Sequence, residues 1–384
     1  MKSLLIIANN NFGHSLSGGD MIFLNLIKHW SDKLKITVLA SQESKNLIKQ
    51  HLNFKKTKVQ IVLSDKINTQ ISPSIKNIVF HQLRRTRLGL KSLPSQKYDY
   101  VYSASDFYPD LLPALYKKIL QPKTKWIAGF YLLAPKPWSL VSPYNQTKSF
   151  FKGLIYYLGQ IPSKIIVKLL SDFVLVTSTP DQKVFKNSFV VQGGVDSVKN
   201  YQPLPLSKRK YDAVFLGRLH HQKGVLQLID IWHLVVIKKP KAKLAIIGDG
   251  ELETAIKQRI KKLKLAKNID LLGFMIGPPK HQIFKNSCLV VHPAVYDSGG
   301  MAAAEAMAWG LPAVSYNLPA LKTYYPKGMI KTPCFNQKKF AQNILSLLNN
   351  RQLYRSYQKQ ALDLIKENWD WQKRLNKIFK QIDG

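Results

Sequence analysis

Acidic residues are scarce in this chain. Only 22 of its 384 residues are Asp or Glu, against 58 Lys and Arg, and the formal net charge is +36. Cysteine is nearly absent. Cys288 and Cys334 are too few for a disulfide framework or a cysteine metal cluster, which suits a reducing compartment. No run approaches the ~20 apolar residues that cross a bilayer. The apolar run 4–8, ended by Asn9-Asn10-Asn11, is too short for a secretory signal. The expected location is therefore the cytoplasm, or the inner face of the plasma membrane as a peripheral protein. Gly248-Asp249-Gly250 lacks the third glycine of a dinucleotide fingerprint, so no nicotinamide cofactor is expected.

A strong basic excess favours anionic partners: nucleic acid, anionic lipid or phosphorylated substrates. Residues 1–200 and 201–384 each carry +18, so the excess is diffuse. This argues against a nucleic-acid-binding tail, and no nucleic-acid motif is recognisable. A lysine-rich composition is an equal explanation. Locally, no acid occurs from 66 to 98, which includes the basic segment with Arg84, Arg85, Arg87 and Lys91, or from 111 to 171. Within the second gap, residues 148–170 mix four lysines with Phe150, Phe151, Tyr156 and Tyr157. Pro162 is expected to split this segment into two helical pieces. It reads either as an interfacial segment on anionic lipid or as an internal helix with a solvated lysine edge.

A hydrophobic content of 45% with 20 Gly and 20 Pro is globular, and the length suits two domains. Apolar runs at 3–8, 36–40, 59–63, 98–102, 125–131 and 172–178 read as strands of the first domain, and 211–216, 243–248 and 269–274 as strands of the second. The domains are placed at 1–196 and 211–367, joined by a proline-containing, basic linker at 197–210. A final helix covers about 368–384. Ser17-Gly18-Gly19-Asp20 is expected to be a loop before a helix at about 21–30. A Gly pair there commonly serves close backbone approach to a ligand.

Residues 287–316 carry the densest signal. A buried strand at 288–291 leads through His292-Pro293 into the loop Tyr296-Asp297-Ser298-Gly299-Gly300. An Ala-rich helix follows from Met301 to Trp309, with Gly310 at its C-cap, and Ala313-Val314 begins another strand. This is a βαβ unit whose helix start presents backbone N–H groups over the strand end. Asp297 and Glu305 are placed to face one crevice. The plainer alternative is a capping Asp and a solvated Glu. Upstream, Gly217-Arg218-Leu219-His220-His221-Gln222-Lys223-Gly224 follows a strand and puts two cations, Arg218 and Lys223, beside glycine turns. Two such cations suit a phosphate group, although a basic pair in a loop is more often solvated surface.

Together these residues resemble the signature of glycosyltransferase family 4, retaining sugar-nucleotide transferases of the GT-B fold. Glu305-Ala306-Met307-Ala308-Trp309-Gly310-Leu311-Pro312 matches its Glu-Ala-Met-Ala-x-Gly-x-Pro motif, and Asp297 stands where the first acid is usually Glu. The resemblance is strongest over 211–317. It implies an α/β, GT-B fold, with two Rossmann-like domains facing an interdomain cleft and the last helix bracing the N-terminal, acceptor-binding domain. It also implies transfer of a sugar from a UDP- or GDP-linked donor to an acceptor hydroxyl, in cell-envelope polysaccharide or glycolipid synthesis. Arg218 and Lys223 would offset the leaving diphosphate. Gly217 and the backbone of Ser298, Gly299, Gly300 and Met301 would hold phosphate and sugar, and Gly18 and Gly19 would face the donor phosphates. Phe274 would lie beside the base, Glu305 would bind the ribose, and Asp297 would meet the transferred sugar. The chain has no Asp-x-Asp, so no metal is expected. Many relatives carry a His near the end of the strand at 125–131; here Phe130-Tyr131 stands there. The partners implied are a nucleotide-sugar, a saccharide or lipid-linked acceptor, and contact with an anionic membrane, with no nucleic acid. Three other readings stay open: a non-catalytic glycan-binding relative, a basic nucleic-acid-binding protein, and a sugar-nucleotide epimerase.

Overall fold

The computed structural model describes residues 1–11, 17–52, 59–65, 75–139, 142, 144–145, 150–195 and 203–384. Lys148, Asp196 and residues 197–202 of the expected linker lie outside the described residues. Two compact units are formed. Unit 1 comprises 1–136, 149–193 and 371–384, and unit 2 comprises 137–148 and 194–370.

In unit 1, β1 (Ser3–Ala8), α1 (Gly18–Trp30), β2 (Lys35–Ser41), α2 (Gln42–His51) and β3 (Val59–Asp65) build one half of a sheet. The chain continues through α3 (Ile75–Lys91), β4 (Tyr100–Ser103), α4 (Tyr108–Leu120), β5 (Lys125–Gly129), α5 (Phe150–Leu170), β6 (Phe173–Val176), α6 (Thr179–Gln182) and β7 (Ser188–Val190). The order β3-β2-β1-β4-β5-β6-β7 is parallel throughout. Leu4–Ile7 and Val101–Tyr102 are buried because helices cover both faces of the sheet.

Unit 2 contains β8 (Tyr211–Leu216), α7 (Val225–Lys238), β9 (Leu244–Ile247), α8 (Glu253–Lys262), β10 (Ile269–Leu271), α9 (Gly277–Lys285) and β11 (Ser287–His292). It continues through α10 (Met301–Met307), β12 (Ala313–Tyr316), α11 (Pro319–Tyr324), β13 (Met329–Thr332), α12 (Gln337–Asn349) and α13 (Arg351–Asn368). Its parallel order is β10-β9-β8-β11-β12-β13. The last helix, α14 (Trp371–Asp383), belongs to unit 1 and packs on α1. There Trp30 donates its indole N–H to the Leu375 carbonyl at 3.2 Å, and its ring meets Phe379 edge-on at 5.4 Å. Both units are thus doubly wound, and each reverses its winding beside its first strand, between β1 and β4 or between β8 and β11.

Two local expectations are corrected. Gly18 and Gly19 are not loop residues but the first two residues of α1. Ser17 caps this helix: its hydroxyl accepts the Asp20 N–H at 3.2 Å, and the Asp20 carboxylate accepts the Ser17 N–H at 2.7 Å. That reciprocal pair starts the helix three residues before its apolar pattern does. The second correction concerns α5, which runs unbroken through Pro162. Proline removes the N–H that would reach the Leu158 carbonyl. Both residues lie on the exposed side, where the freed carbonyl is open to solvent rather than stranded in the interior.

In the basic segment, two of the three arginines are neutralised internally. Arg84 pairs with Asp65 at 2.9 Å. Arg85, 1% exposed, pairs with Glu43 of α2 at 2.7 Å. It also donates to the carbonyls of Asn9, at 3.1 Å, and Asn11. Asp110, at the start of α4, accepts the N–H groups of Asn9 and Asn10 at 2.5 and 3.1 Å. The exit of β1 is therefore held from α3 and α4, with α2 supporting Arg85 through Glu43. Replacing Arg85 by Ala strands the Glu43 carboxylate in the interior, and about 3–5 kcal/mol of stability is expected to be lost. Denaturant unfolding of the variant checks this.

Candidate active site

The site is built at the winding reversal of unit 2, where the loops after β8 and β11 meet. After β8 the chain passes Gly217-Arg218-Leu219-His220, makes a single 3-10 turn at His221–Lys223, and enters α7 through Gly224. Gly224 has φ +65°, and a Cβ there would lie 2.0 Å from the Pro293 carbonyl oxygen. Only glycine lets the two loops touch at this point. The contact is closed by the Val295 N–H, which donates to the Gln222 carbonyl at 3.0 Å.

Across that seam Lys223 Nζ donates to Asp297 Oδ2 at 2.7 Å. His292 Nε2, from the end of β11, lies 3.1 Å from the same oxygen. Asp297 Oδ1 accepts the N–H groups of Gly299 and Gly300 at 3.2 and 3.0 Å. The glycine pair is clamped from its other side by Tyr325, whose hydroxyl donates to the carbonyls of Gly299 and Gly300 at 3.2 and 2.7 Å. Burial pushes the Asp297 carboxyl upward. Lys223 and His292 outweigh that and hold it well below the ordinary value of 3.8. Asp297 is thus a fixed anion with both oxygens occupied.

The other sequence candidates fall around this cluster. Arg218 is exposed. Its charge, second to burial, helps bring His220 down to about 4. His220 is therefore neutral near pH 7, consistent with its Nδ1 accepting the Gln222 N–H at 3.1 Å. Its 3.5 Å approach to Glu251 is then that of an uncharged ring. Gly217 opens the first loop, and Ser298 and Met301, both half-buried, flank the glycine pair. Glu305 of α10 is bridged to Lys280 of α9 at 2.5 Å. Phe274, 46% exposed, follows β10 beside Gly273, whose carbonyl accepts the Gly248 N–H at 2.8 Å. Gly18 and Gly19 lie in unit 1, where a Cβ on Gly19 would crowd the Tyr131 ring at 3.2 Å.

Sequence reasoning missed His292, Lys280, Tyr325 and Tyr144 as parts of the site. His292 carried a faint signal, as a buried polar residue ending an apolar strand. Lys280 and Tyr325 carried none. Tyr144 belongs to residues 137–148, which join unit 2 from between β5 and α5. Burial raises its phenol and the Arg218 charge opposes the rise. Among the described residues, no group of three or more His, Cys, Asp or Glu side chains is arranged to hold a metal ion.

The seam lies inside a stretch with known relatives: residues 197–363 match the family model of glycosyl transferases group 1. The chain is 28% identical over 212 residues to the poly(glycerol-phosphate) alpha-glucosyltransferase of Bacillus subtilis (strain 168), a match covering 52% of this chain and 30% of that protein. The chain therefore spans under a third of this relative's length. Solved structures extend the likeness to both units. Anabaena Alr3699/HepE, crystallised with UDP and glucose, superposes with a TM-score of 0.69 at 16% identity, covering 100% of both chains. Sucrose-phosphate synthase of Thermosynechococcus elongatus gives 0.77 at 14% identity, covering 100% of this chain and 98% of the other. These likenesses show the fold: two Rossmann-like units in the GT-B architecture. Every residue of the Lys223–Asp297 seam falls within the matched stretch.

Asp297→Asn removes a buried anion and leaves Lys223 unpaired, at an expected loss of about 3 kcal/mol at pH 7. Because the folded carboxyl is depressed, wild type holds its advantage above the ordinary carboxylate value and loses it as pH falls below that value. Unfolding of both proteins at pH 7 and pH 3 is expected to show the gap shrink at the lower pH.

Proposed function

We propose that this chain is a retaining glycosyltransferase of family 4, moving a sugar from a UDP- or GDP-linked donor to an acceptor hydroxyl. The acceptor would be a saccharide or a lipid-linked saccharide in cell-envelope polysaccharide or glycolipid synthesis. The observation that carries the proposal is the seam itself. It brings Lys223, Asp297 and the Gly299–Gly300 backbone together at a winding reversal, with exposed Arg218 on the same loop as Lys223, inside the stretch that matches the model of glycosyl transferases group 1. Ligands of open α/β sheets bind at such reversals, beyond the strand ends.

In this reading the bond from the anomeric carbon to the β-phosphate oxygen breaks, and a bond to the acceptor oxygen forms on the same face. The acceptor's proton leaves with the phosphate. Charge grows on the diphosphate as the bond opens, and fixed cations lower that barrier without the help of a metal. The two cations contribute unequally. Lys223 is already offset by Asp297, so a diphosphate gains the surplus charge of Arg218 and shares that of Lys223. Asp297 orients the Gly299–Gly300 loop toward the transferred sugar, and Gly217, Ser298 and Met301 shape the phosphate subsite. Glu305, held by Lys280, accepts the ribose hydroxyls, and Phe274 lies against the base. Gly18 and Gly19, with the rest of unit 1, serve the acceptor side and the donor phosphates.

Calorimetric titration with UDP and with GDP tests the proposal. One nucleotide is expected to bind. Arg218→Ala is expected to weaken it roughly 10- to 100-fold, the worth of a charge-assisted contact of about 1.5–3 kcal/mol, and Lys223→Ala is expected to weaken it less. If neither nucleotide binds at millimolar concentration, the assignment is wrong. With a donor identified, the anomeric configuration of the product, read by NMR, decides retention.

A further inference from the structure

The polarity of α5 is inverted. Its buried residues are Gly153, Gln160, Ser163 and Val167. Gln160 anchors that face by hydrogen bonds, donating to the Asp106 carboxylate at 2.9 Å and to the Leu132 carbonyl at 2.8 Å, and accepting the Ala134 N–H at 2.6 Å. The opposite face carries Phe151, Ile155, Leu158, Pro162, Ile165 and Leu169, all exposed, with Phe151 at 70% and Leu169 at 74%. Their spacing alternates four and three residues, so they form one straight apolar stripe along the whole 21-residue helix. A helix facing only water would place its apolar residues inward and its Gly, Gln and Ser outward. No helix among the described residues is long and apolar enough to cross a membrane.

Lysines border the stripe. By helical geometry Lys152 projects roughly 100° to one side of it and Lys168 roughly 100° to the other, with Lys164 further round beyond Lys168. No carboxylate occurs from 111 to 171 to offset them. Apolar residues below and lysines at the flanks are the arrangement of a helix lying in the headgroup layer of an anionic bilayer. Two copies of the chain packed stripe to stripe would instead bring like-charged lysine rows together. Neighbouring elements extend the apolar character: α4 lies beside α5, with the Phe107 ring ahead of it stacked on Tyr156 at 6.1 Å, and Ile119 on α4 is also exposed.

We infer that α5 docks this chain in plane on an anionic phospholipid surface, inserting Phe151, Ile155, Leu158, Pro162, Ile165 and Leu169 between headgroups that pair with Lys152 and Lys168. The inference is independent of the transferase reading, because its test needs no nucleotide. The full chain is floated with phosphatidylcholine vesicles, with and without phosphatidylglycerol. Wild type is expected to float with the anionic vesicles only. The triple variant Phe151→Ser/Leu158→Ser/Leu169→Ser keeps every charge and alters only exposed side chains. It is expected to lose at least about tenfold in partitioning, with its circular dichroism and melting unchanged.

Failure of wild type to float at low salt overturns the inference. So does equal flotation of the triple variant, which would assign binding to the diffuse +36 charge. A wild-type dimer in sedimentation equilibrium that the triple variant abolishes, without flotation, assigns the stripe to a second copy and also overturns it. Should the triple variant misfold, Phe151→Trp decides the matter. Its added emission is expected to be quenched by brominated acyl chains in anionic vesicles, and an unquenched signal overturns the inference.

Discussion

The ion pair between Lys223 and Asp297 joins two loops 74 residues apart in sequence. Apart from the single 3-10 turn at His221–Lys223, neither loop has regular structure to hold it. What fixes them is the pair itself, the Val295–Gln222 backbone bond, and the Gly224 turn resting on Pro293. The arrangement follows from the sheet. In the order β10-β9-β8-β11-β12-β13, the chain winds outward from β8 in one direction and then returns to start again at β11. The loops that leave β8 and β11 therefore have no crossover helix between them. Their polar groups must satisfy one another or bind something from solution. Asp297 meets most of that demand, accepting a lysine, a histidine and two backbone N–H groups at once.

Unit 1 solves the same problem differently. At its own reversal, between β1 and β4, the chain leaves β1 through Asn9 and Asn10, whose amides run to Asp110 on α4. The carbonyls of Asn9 and Asn11 take the guanidinium of Arg85 on α3. A buried ionisable group on each side, the paired Arg85 and the hydrogen-bonded Asp110, whose carboxyl burial pushes up to about 7, substitutes for regular structure. Such networks stabilise little by their mere presence, yet losing one member leaves an uncompensated charge inside the protein. Two arginines of a segment that reads in one dimension as a free basic run are consumed in this way.

Helix α5 shows how far periodicity and environment can diverge. Its sequence is apolar with interspersed lysines, and either face could in principle have turned inward. The selection was made by Gln160, whose amide satisfies three polar partners on the protein side. Burying that amide against apolar neighbours would cost more than leaving a leucine or isoleucine in contact with water. The same choice puts Pro162 outward, where its missing N–H is tolerated and the helix continues.

Much of this protein was legible in its amino-acid sequence. Apolar runs such as 3–8 and 211–216 are buried strands because a parallel sheet covered on both faces admits little else. The candidate site was legible through the resemblance of Asp297, the Gly299–Gly300 pair and Glu305, with Arg218 and Lys223 between Gly217 and Gly224, to a family signature; the residues alone left a capping Asp and a solvated Glu open. Tertiary structure decided what these residues touch. Nothing in the spacing ties Lys223 to Asp297, Glu305 to Lys280, or Tyr325 to Gly299 and Gly300. Those pairings depend on which strands became neighbours, and long-range strand order is set by the whole core rather than by any segment. The exposure of the α5 stripe was decided there too, because a helix's own period says which residues share a face but not which face the protein will keep.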